Sequence, residues 1–402
     1  MRSVYVSLVL LTACGDDGDH GHIIPDPDAH PMFRDAPGAP STCGRVLGAD
    51  GPRHVVISRP YDTAGNAATK FEVLSLSAAG VLARGATPVT FDMHRTNFGT
   101  IAFTPDGKIG LVAQEDGSLG VFALADDGTP SVVTAGFGSE TFYADRVIVD
   151  PSGDFAYILD GNTRANGGGI YAIRIGCDGT PTSLGLIAAG STPGSLILDG
   201  DRALVAAGEL LGTATGVDAE LLHWTGATAP TVTSGADAFG DDDAIVGGSA
   251  LTSDKHTFLI GDKNSFSATG NRVAVVTVGD TTVTPASILT PVADPESIQT
   301  SPFGNVAIVT TADGDAIHVL DDGGANNAWQ VRGLLTYTSG NPMQPGDTTA
   351  ITRGALNGHV LVSELSSIRQ VVFHDDGSVV DIGSLQFGDG LDQILGAIGV
   401  QP

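Results

Sequence analysis

A turn signal followed directly by a short apolar run recurs six times along this chain, and a seventh run of the same kind lies near the start, at 54–57. Two examples are Thr-Pro-Asp-Gly at 104–107, before the run 109–112, and Asp-Pro-Ser-Gly at 150–153, before the run 155–159. The middle apolar positions of the seven runs are Val56, Leu111, Tyr157, Leu204, Phe258, Ile308 and Leu361. Their spacings are 55, 46, 47, 54, 50 and 53 residues. Near-constant spacing indicates seven copies of one structural unit.

Each unit reads as four short strands. A strand such as 146–149 precedes the turn, the apolar run is the second strand, and two further strands such as 118–124 and 131–134 follow. No segment shows the periodicity of a long helix. These features predict an all-β fold, a seven-bladed β-propeller of four-stranded antiparallel blades. The alternative, a two-sheet sandwich, does not explain seven repeats of similar length.

The two ends of the repeat region are predicted to meet in one blade. The first unit begins at His54 with what is the second strand in the other units, so it lacks an innermost strand. Residues 392–400 follow the last strand of the seventh unit and resemble the first strands of other units. We therefore expect the C-terminal strand to close the first blade, which removes an open edge from the ring. The alternative is a frayed apolar tail.

Charge excludes two classes of partner. The 402 residues include 19 Lys and Arg against 46 Asp and Glu, a formal net charge of −27. Nucleic-acid binding requires a basic face that neutralises phosphates, so no nucleic acid is expected as a partner. Electrostatic docking on anionic lipid headgroups is disfavoured for the same reason. We expect a monomer.

The N-terminus carries a targeting pattern. Residues 4–11 are apolar or small and follow Arg2, which suits a secretory signal and is too short to span a bilayer. Residues 11–14 are Leu-Thr-Ala-Cys, a pattern that resembles a bacterial lipobox and implies lipidation of Cys14. Because Gly15 follows, an outer-membrane lipoprotein is expected, periplasmic or surface-exposed. The alternative is an ordinary signal peptide with an incidental cysteine.

Three regions follow from these patterns: a signal peptide at 1–13, a flexible tether at 14–52 and the propeller at 53–402. The tether is rich in Asp, Pro, Gly and His, and it cannot bury enough surface to order itself. We interpret it as a solvated spacer, with a metal-chelating tail as the alternative. The remaining cysteines, Cys43 and Cys177, are predicted to pair in an oxidising compartment; two independent thiols are the alternative.

The repeats resemble the bacterial YVTN and lactonase-type seven-bladed propellers. The matching pieces include Leu-Val-Ala-Gln-Glu at 111–115 leading to Leu-Gly-Val-Phe at 119–122, and Ile-Val-Thr-Thr at 308–311 leading to Ile-His-Val-Leu at 317–320. The resemblance covers most of the chain from Arg53 onward. It implies the propeller fold and makes lactone hydrolysis a candidate activity.

One face of the propeller is predicted to carry function. The turns between the first and second strands of each unit are short. The loops between the second and third strands and the loops between blades are long, and these long loops lie on the same face. Acidic residues gather there, and the candidates for binding a ligand or cation are Asp160, Asp243, Asp262, Glu296, Asp313 and Asp347. No cofactor is predicted, and calcium is the alternative that such a ring suits. The preferred interpretation is structural, with Asp side chains capping tight turns.

Catalytic motifs are missing from the chain, including Gly-x-Ser-x-Gly, His-Glu-x-x-His, a phosphate loop and Cys-x-x-Cys. The candidate catalytic pair is His94 with Arg95, which can polarise a lactone carbonyl. The sequence favours a non-catalytic binding or scaffolding propeller with a protein or glycan partner. The alternatives are a lactonase-type hydrolase and, with less support, a quinone- or haem-linked dehydrogenase.

Overall fold

The structure is a computed structural model. It describes residues 40–48, 50–62, 64–97, 100–161, 168–191, 193–206, 209–210, 216–224, 229–240, 244–264, 271–311, 314–324, 328–387 and 396–402. The predicted signal peptide and Cys14 lie outside these residues, as do Asp243 and Asp313. Within the described ranges, no helix has the length and apolar character required to cross a membrane.

The described residues form strands throughout, with a single-turn 3-10 helix at Gly354–Leu356. The chain begins with β1 (Arg53–Tyr61), β2 (Ala67–Leu76), β3 (Leu82–Ala83) and β4 (Val89–Asp92). It continues with β5 (Ile101–Phe103), β6 (Ile109–Ala113), β7 (Leu119–Leu124) and β8 (Pro130–Phe137). Next come β9 (Arg146–Val149), β10 (Phe155–Asp160), β11 (Gly169–Ile175) and β12 (Pro181–Ser191). They are followed by β13 (Ser195–Asp199), β14 (Arg202–Ala206), β15 (Glu209–Leu210), β16 (Ala219–His223) and β17 (Thr231–Ala236).

The remaining strands complete three more blades and the closure. They are β18 (Val246–Leu251), β19 (Thr257–Asp262), β20 (Arg272–Val278) and β21 (Val283–Leu289). Then come β22 (Pro295–Thr300), β23 (Val306–Thr311), β24 (Ala316–Asp321) and β25 (Gln330–Leu334). The last are β26 (Thr348–Ile351), β27 (His359–Ser363), β28 (Ser367–Phe373), β29 (Val379–Gln386) and β30 (Ile398–Val400).

Seven antiparallel sheets form the ring of a seven-bladed β-propeller, as predicted. In five of the six blades after the first, the four strands are consecutive along the chain. The fourth blade has the order β13-β14-β16-β17, because the short β15 pairs with β12 of the third blade. The first blade has the order β30-β1-β2-β3, and β4 also pairs with β2. Its outer strand is therefore in two pieces, which the sequence did not predict.

Closure by the C-terminal strand is confirmed. In β30, Gly399 pairs with Val56 of β1, and Ile398 pairs with Ile57. The side chains of Ile398 and Val400 are buried. The last apolar segment thus supplies the innermost strand of the first blade, and the frayed-tail alternative is wrong.

Among the residues that the structure describes, the core consists of seven apolar clusters, each shared by two neighbouring blades. Side chains alternate across a strand, so one strand serves two clusters. In β1, Val55 and Ile57 pack toward the seventh blade against Leu361, whereas Val56 packs toward the second blade against Val112. No blade has a core of its own, which explains why the repeats must close into a ring.

The end of the predicted tether is held against the third blade. Cys43 and Cys177 form a disulfide, with Cys177 in the turn between β11 and β12. Beside it, the Ser41 hydroxyl donates to Asp154 over 2.5 Å, and Arg45 Nη1 donates to the Gly153 carbonyl over 2.6 Å. Arg45 and Asp154 are both buried.

Candidate functional site

A cavity of about 420 Å³ opens at the centre of the long-loop face. Its walls include residues at or just before the starts of the inner strands β9, β13, β18, β22 and β26. A volume of this size suits a small-molecule ligand. The cavity is therefore on the face that the loop lengths predicted to be functional.

Two positively charged side chains line this central cavity. Arg146 begins β9 of the third blade, and its guanidinium reaches past the fourth blade to donate to the Gly247 carbonyl in the fifth. A Cβ at Gly247 in β18 would collide with the Pro295 carbonyl in β22, so glycine is needed where β18 and β22 approach each other. Lys263 directly follows β19, and its Nζ lies 2.9 Å from Glu296 Oε2. The cavity thus places cations from two blades around one space.

Asp347 lies beside these cations, directly before β26 of the seventh blade. Burial raises the pKa of Asp347 to about 6, and the negative charge of Glu296 acts in the same direction. Arg146 and Lys263 act in the opposite direction, because positive charges favour the ionised carboxylate. Its own backbone is fixed by the amide of Ser363, which donates to the Asp347 carbonyl over 2.9 Å. A carboxyl group with this pKa changes its protonation close to neutral pH.

The wall on the second and third blades is more polar. Tyr143 donates its hydroxyl to the Glu115 carbonyl over 2.7 Å, and the amide of Gly161 donates to Asp145 over 2.6 Å. A side chain at Gly117 would collide with the Tyr143 ring, and the φ of Gly117 is +81°. Glycine at this turn therefore allows Tyr143 to form the wall.

The predicted acidic residues divide into two groups. Glu296 and Asp347 line the cavity. Asp160 instead accepts from the Tyr143 amide over 3.1 Å, and Asp262 accepts from the Ile245 amide over 3.0 Å. Asp262 also forms an ion pair of 3.0 Å with Arg272, and both side chains are buried. Asp160 and Asp262 thus fix the backbone around the cavity, in line with the structural interpretation of these acids.

The structure places His94 and Arg95 beside the cavity and not in its lining. His94 Nδ1 lies 2.5 Å from Asp116 Oδ2, and neither residue lines the cavity. Ser118 Oγ contacts the same ring nitrogen over 3.2 Å, so the three residues do not form a Ser-His-Asp relay, which needs contacts to both ring nitrogens. Arg95 donates to the Tyr61 hydroxyl over 2.6 Å and pairs with Glu115 at 3.3 Å. Neighbouring side chains therefore hold both His94 and Arg95 in place.

A metal site is not formed by the described residues. Across these ranges, no group of three or more His, Cys, Asp or Glu side chains converges on a point that would hold a metal ion. Asp243 and Asp313 lie outside the described residues, and calcium binding at this face stays a prediction.

The sequence did not single out Arg146 or Lys263. Each is one basic residue at the end of a strand, a pattern typical of a solvated edge. Two features could have indicated that these residues belong to a site. Basic residues are rare, with 19 Lys and Arg in the whole chain, and these two lie where strands meet the long-loop face.

Comparison with known proteins shows which solved structures share this fold. The chain matches no protein-family model, and no curated protein matches it. Similar solved structures include a provisionally named 6-phosphogluconolactonase from Bacteroides uniformis ATCC 8492, 11% identical, with a TM-score of 0.62 over 88% of this chain and 100% of the other. A protein of the same provisional name from Bacteroides fragilis NCTC 9343 is 12% identical, with a TM-score of 0.58 over 87% and 98%.

A third similar structure is the periplasmic gluconolactonase of Pseudomonas aeruginosa. It is 12% identical to this chain, with a TM-score of 0.59 over 86% of this chain and 99% of the other. At these identities the likeness is one of fold, and it extends over nearly the whole length of each neighbour. These three structural neighbours are lactonase-like seven-bladed β-propellers.

Proposed function

We propose that this protein is a lactone hydrolase acting at the central cavity. The observation that carries the proposal is the position of Asp347, a carboxyl group with a pKa of about 6, beside Arg146 and Lys263. A base with a pKa near the working pH and a cation that stabilises negative charge are the two groups that hydrolysis of an activated ester requires.

In the proposed reaction, the Asp347 carboxylate takes a proton from a water molecule as the water oxygen attacks the lactone carbonyl carbon. The carbonyl oxygen becomes negatively charged, and Arg146 or Lys263 stabilises that charge. The bond between the carbonyl carbon and the ring oxygen then breaks. The ring oxygen receives the proton from Asp347, which yields a hydroxy acid and restores the carboxylate on the enzyme.

The fold neighbours support this proposal over non-catalytic binding. Two are provisionally named 6-phosphogluconolactonases and one is named a gluconolactonase. We infer that the substrate class is the lactone of a sugar acid. A cavity of about 420 Å³ accepts a ring of that size, and its polar walls suit the ring hydroxyls.

We further propose that the enzyme works in the cell envelope. The Leu-Thr-Ala-Cys pattern at 11–14 supports lipid attachment at Cys14. The bond between Cys43 and Cys177 suits an oxidising compartment.

The test is turnover of a sugar lactone by the full-length protein. Ring opening of D-glucono-1,5-lactone releases a proton and is followed in a pH-stat against the spontaneous rate. We expect turnover above that rate, and we expect His94→Ala to retain it because His94 does not line the cavity. Turnover that disappears in His94→Ala would move the site to the predicted His94 and Arg95 pair.

A further inference from the structure

A second cavity, of about 210 Å³, lies on the face opposite the candidate active site. The inner strands β5, β26 and β30 end there, at the second, seventh and first blades. Its lining includes the side chains of Arg53 and Arg353 together with Gln401. In a chain with net charge −27, two arginines at one small cavity are unusual.

Both guanidinium groups are held by neutral carbonyl groups. Arg53 donates from Nη1 to the Gln401 carbonyl over 3.2 Å and from Nη2 to the Arg353 carbonyl over 3.4 Å. Arg353 donates from Nη1 to the Gly48 carbonyl over 2.6 Å. These bonds fix the positions of the two side chains, but neutral carbonyl groups do not neutralise their positive charges.

The Asp50 carboxylate neutralises this charge only in part. Asp50 Oδ1 lies 3.7 Å from Arg53 Nη2, and the Asp50 side chain is 60% exposed, whereas that of Arg53 is 5% exposed. Burial lowers the pKa of Arg53, and the charge of Arg353 lowers it further, against the effect of Asp50. Like charges buried together carry a cost that a solvent-exposed acid offsets little.

Three nitrogens of these two arginines are buried and have no hydrogen-bond partner among the described residues: Arg53 Nε, Arg353 Nε and Arg353 Nη2. A buried N–H group without a partner is costly, and the cost is higher for a charged group. Water can accept these hydrogen bonds but cannot neutralise the charges. An anion does both.

We propose that this cavity binds a small free oxyanion, a phosphate or carboxylate group held between Arg53 and Arg353. The guanidinium group has the planar donor fork that matches both anions. A volume of about 210 Å³ limits the ligand to a small ion or the acidic end of a small molecule. The site lies at the ends of the inner strands, whereas the proposed active site lies at their beginnings, so this proposal does not depend on the proposed function.

The experiment is a titration of the full-length protein with inorganic phosphate and with acetate, in chloride buffer at constant ionic strength. Binding is measured by calorimetry and by the rise in melting temperature. We expect saturable binding of at least one anion and an affinity at least about tenfold lower in Arg353→Gln, the equivalent of one lost charged hydrogen bond. The matched control is Arg332→Gln, which removes a half-exposed arginine on the same face and should leave the affinity unchanged.

A second variant keeps the test decisive if Arg353→Gln does not fold. Asp50→Asn removes the carboxylate that competes for Arg53 and should tighten anion binding. The proposal is overturned if neither anion binds the wild-type protein. Unchanged affinity in a folded Arg353→Gln variant, or unchanged or weaker affinity in Asp50→Asn, would equally overturn it.

Discussion

Lys263 Nζ lies 2.9 Å from Glu296 Oε2 and joins the fifth blade to the sixth at the central cavity. Both groups also act on Asp347: the negative charge of Glu296 raises the pKa of Asp347, and the positive charge of Lys263 lowers it. The two side chains are 30% and 17% exposed, so solvent screens their charges only in part and both still act on Asp347. This ion pair therefore adjusts the pH at which Asp347 ionises.

The first prediction concerns the pH dependence of lactone hydrolysis. If ionised Asp347 is the base, activity rises with pH through about 6. Glu296→Gln removes a charge that raises the pKa of Asp347, so the rise should move to lower pH, by roughly one pH unit. Lys263→Met should move it to higher pH. Initial rates between pH 4 and pH 8, roughly two pH units on each side of the expected value, measure both shifts. Shifts in the same direction for the two variants would contradict this role of the pair.

The second prediction concerns closure of the ring. Deleting residues 398–402 removes Ile398 and Val400, whose side chains are buried, at 3% and 8% exposed. Their burial together contributes about 3–6 kcal/mol to the free energy of unfolding. We expect the melting temperature to fall by about 5 °C or more. Ile382→Ala, at an exposed position in β29, serves as the control and should change stability little. A truncated protein that melts within about two degrees of the full-length protein would show that β30 does not support the ring.

The third prediction concerns the disulfide. The bond between Cys43 and Cys177 closes a loop across 134 residues, which corresponds to about 4–5 kcal/mol in the chain-entropy model. Cys43→Ser should lower the unfolding midpoint in urea, and the double variant with Cys177→Ser should lower it by the same amount. Unequal losses for the single and double variants would indicate that one cysteine contributes independently of the bond.

The fourth prediction concerns the anchor. Cys14→Ala removes the residue proposed to carry lipid, and stable anchoring requires more than one acyl chain at that position. Fractionation of cells that produce this variant should recover it as soluble protein, with the parent in the membrane fraction. A variant that stays with the membrane as the parent does would rule out the lipobox interpretation.

The sequence was sufficient to predict the architecture because blade strands are short, buried and regularly spaced. The strand predicted at 146–149 is β9, Arg146–Val149. The outer strands were harder to predict because they face solvent and lack a strong apolar pattern. The split between β3 and β4, and the pairing of β15 with the extended β12, both occur at such edges.

The candidate site was predictable only in part. The acids Glu296 and Asp347 were found because each stands where the chain enters a blade on one face. Their partners were not found, because the contacts join blades far apart in the sequence. Arg146 bonds to Gly247, which lies 101 residues further along the chain, and no local pattern records that approach.

The most direct measurement is kcat/KM for a sugar-acid lactone in Asp347→Asn. The substitution keeps the shape of the side chain and removes its ability to accept a proton, so we expect a loss of about 10²- to 10⁴-fold relative to the wild-type protein. The matched control is Asp280→Asn, whose side chain is fully exposed and lies away from the cavity, and it should retain wild-type activity. Equal kcat/KM in Asp347→Asn and the wild-type protein would contradict hydrolysis at the central cavity.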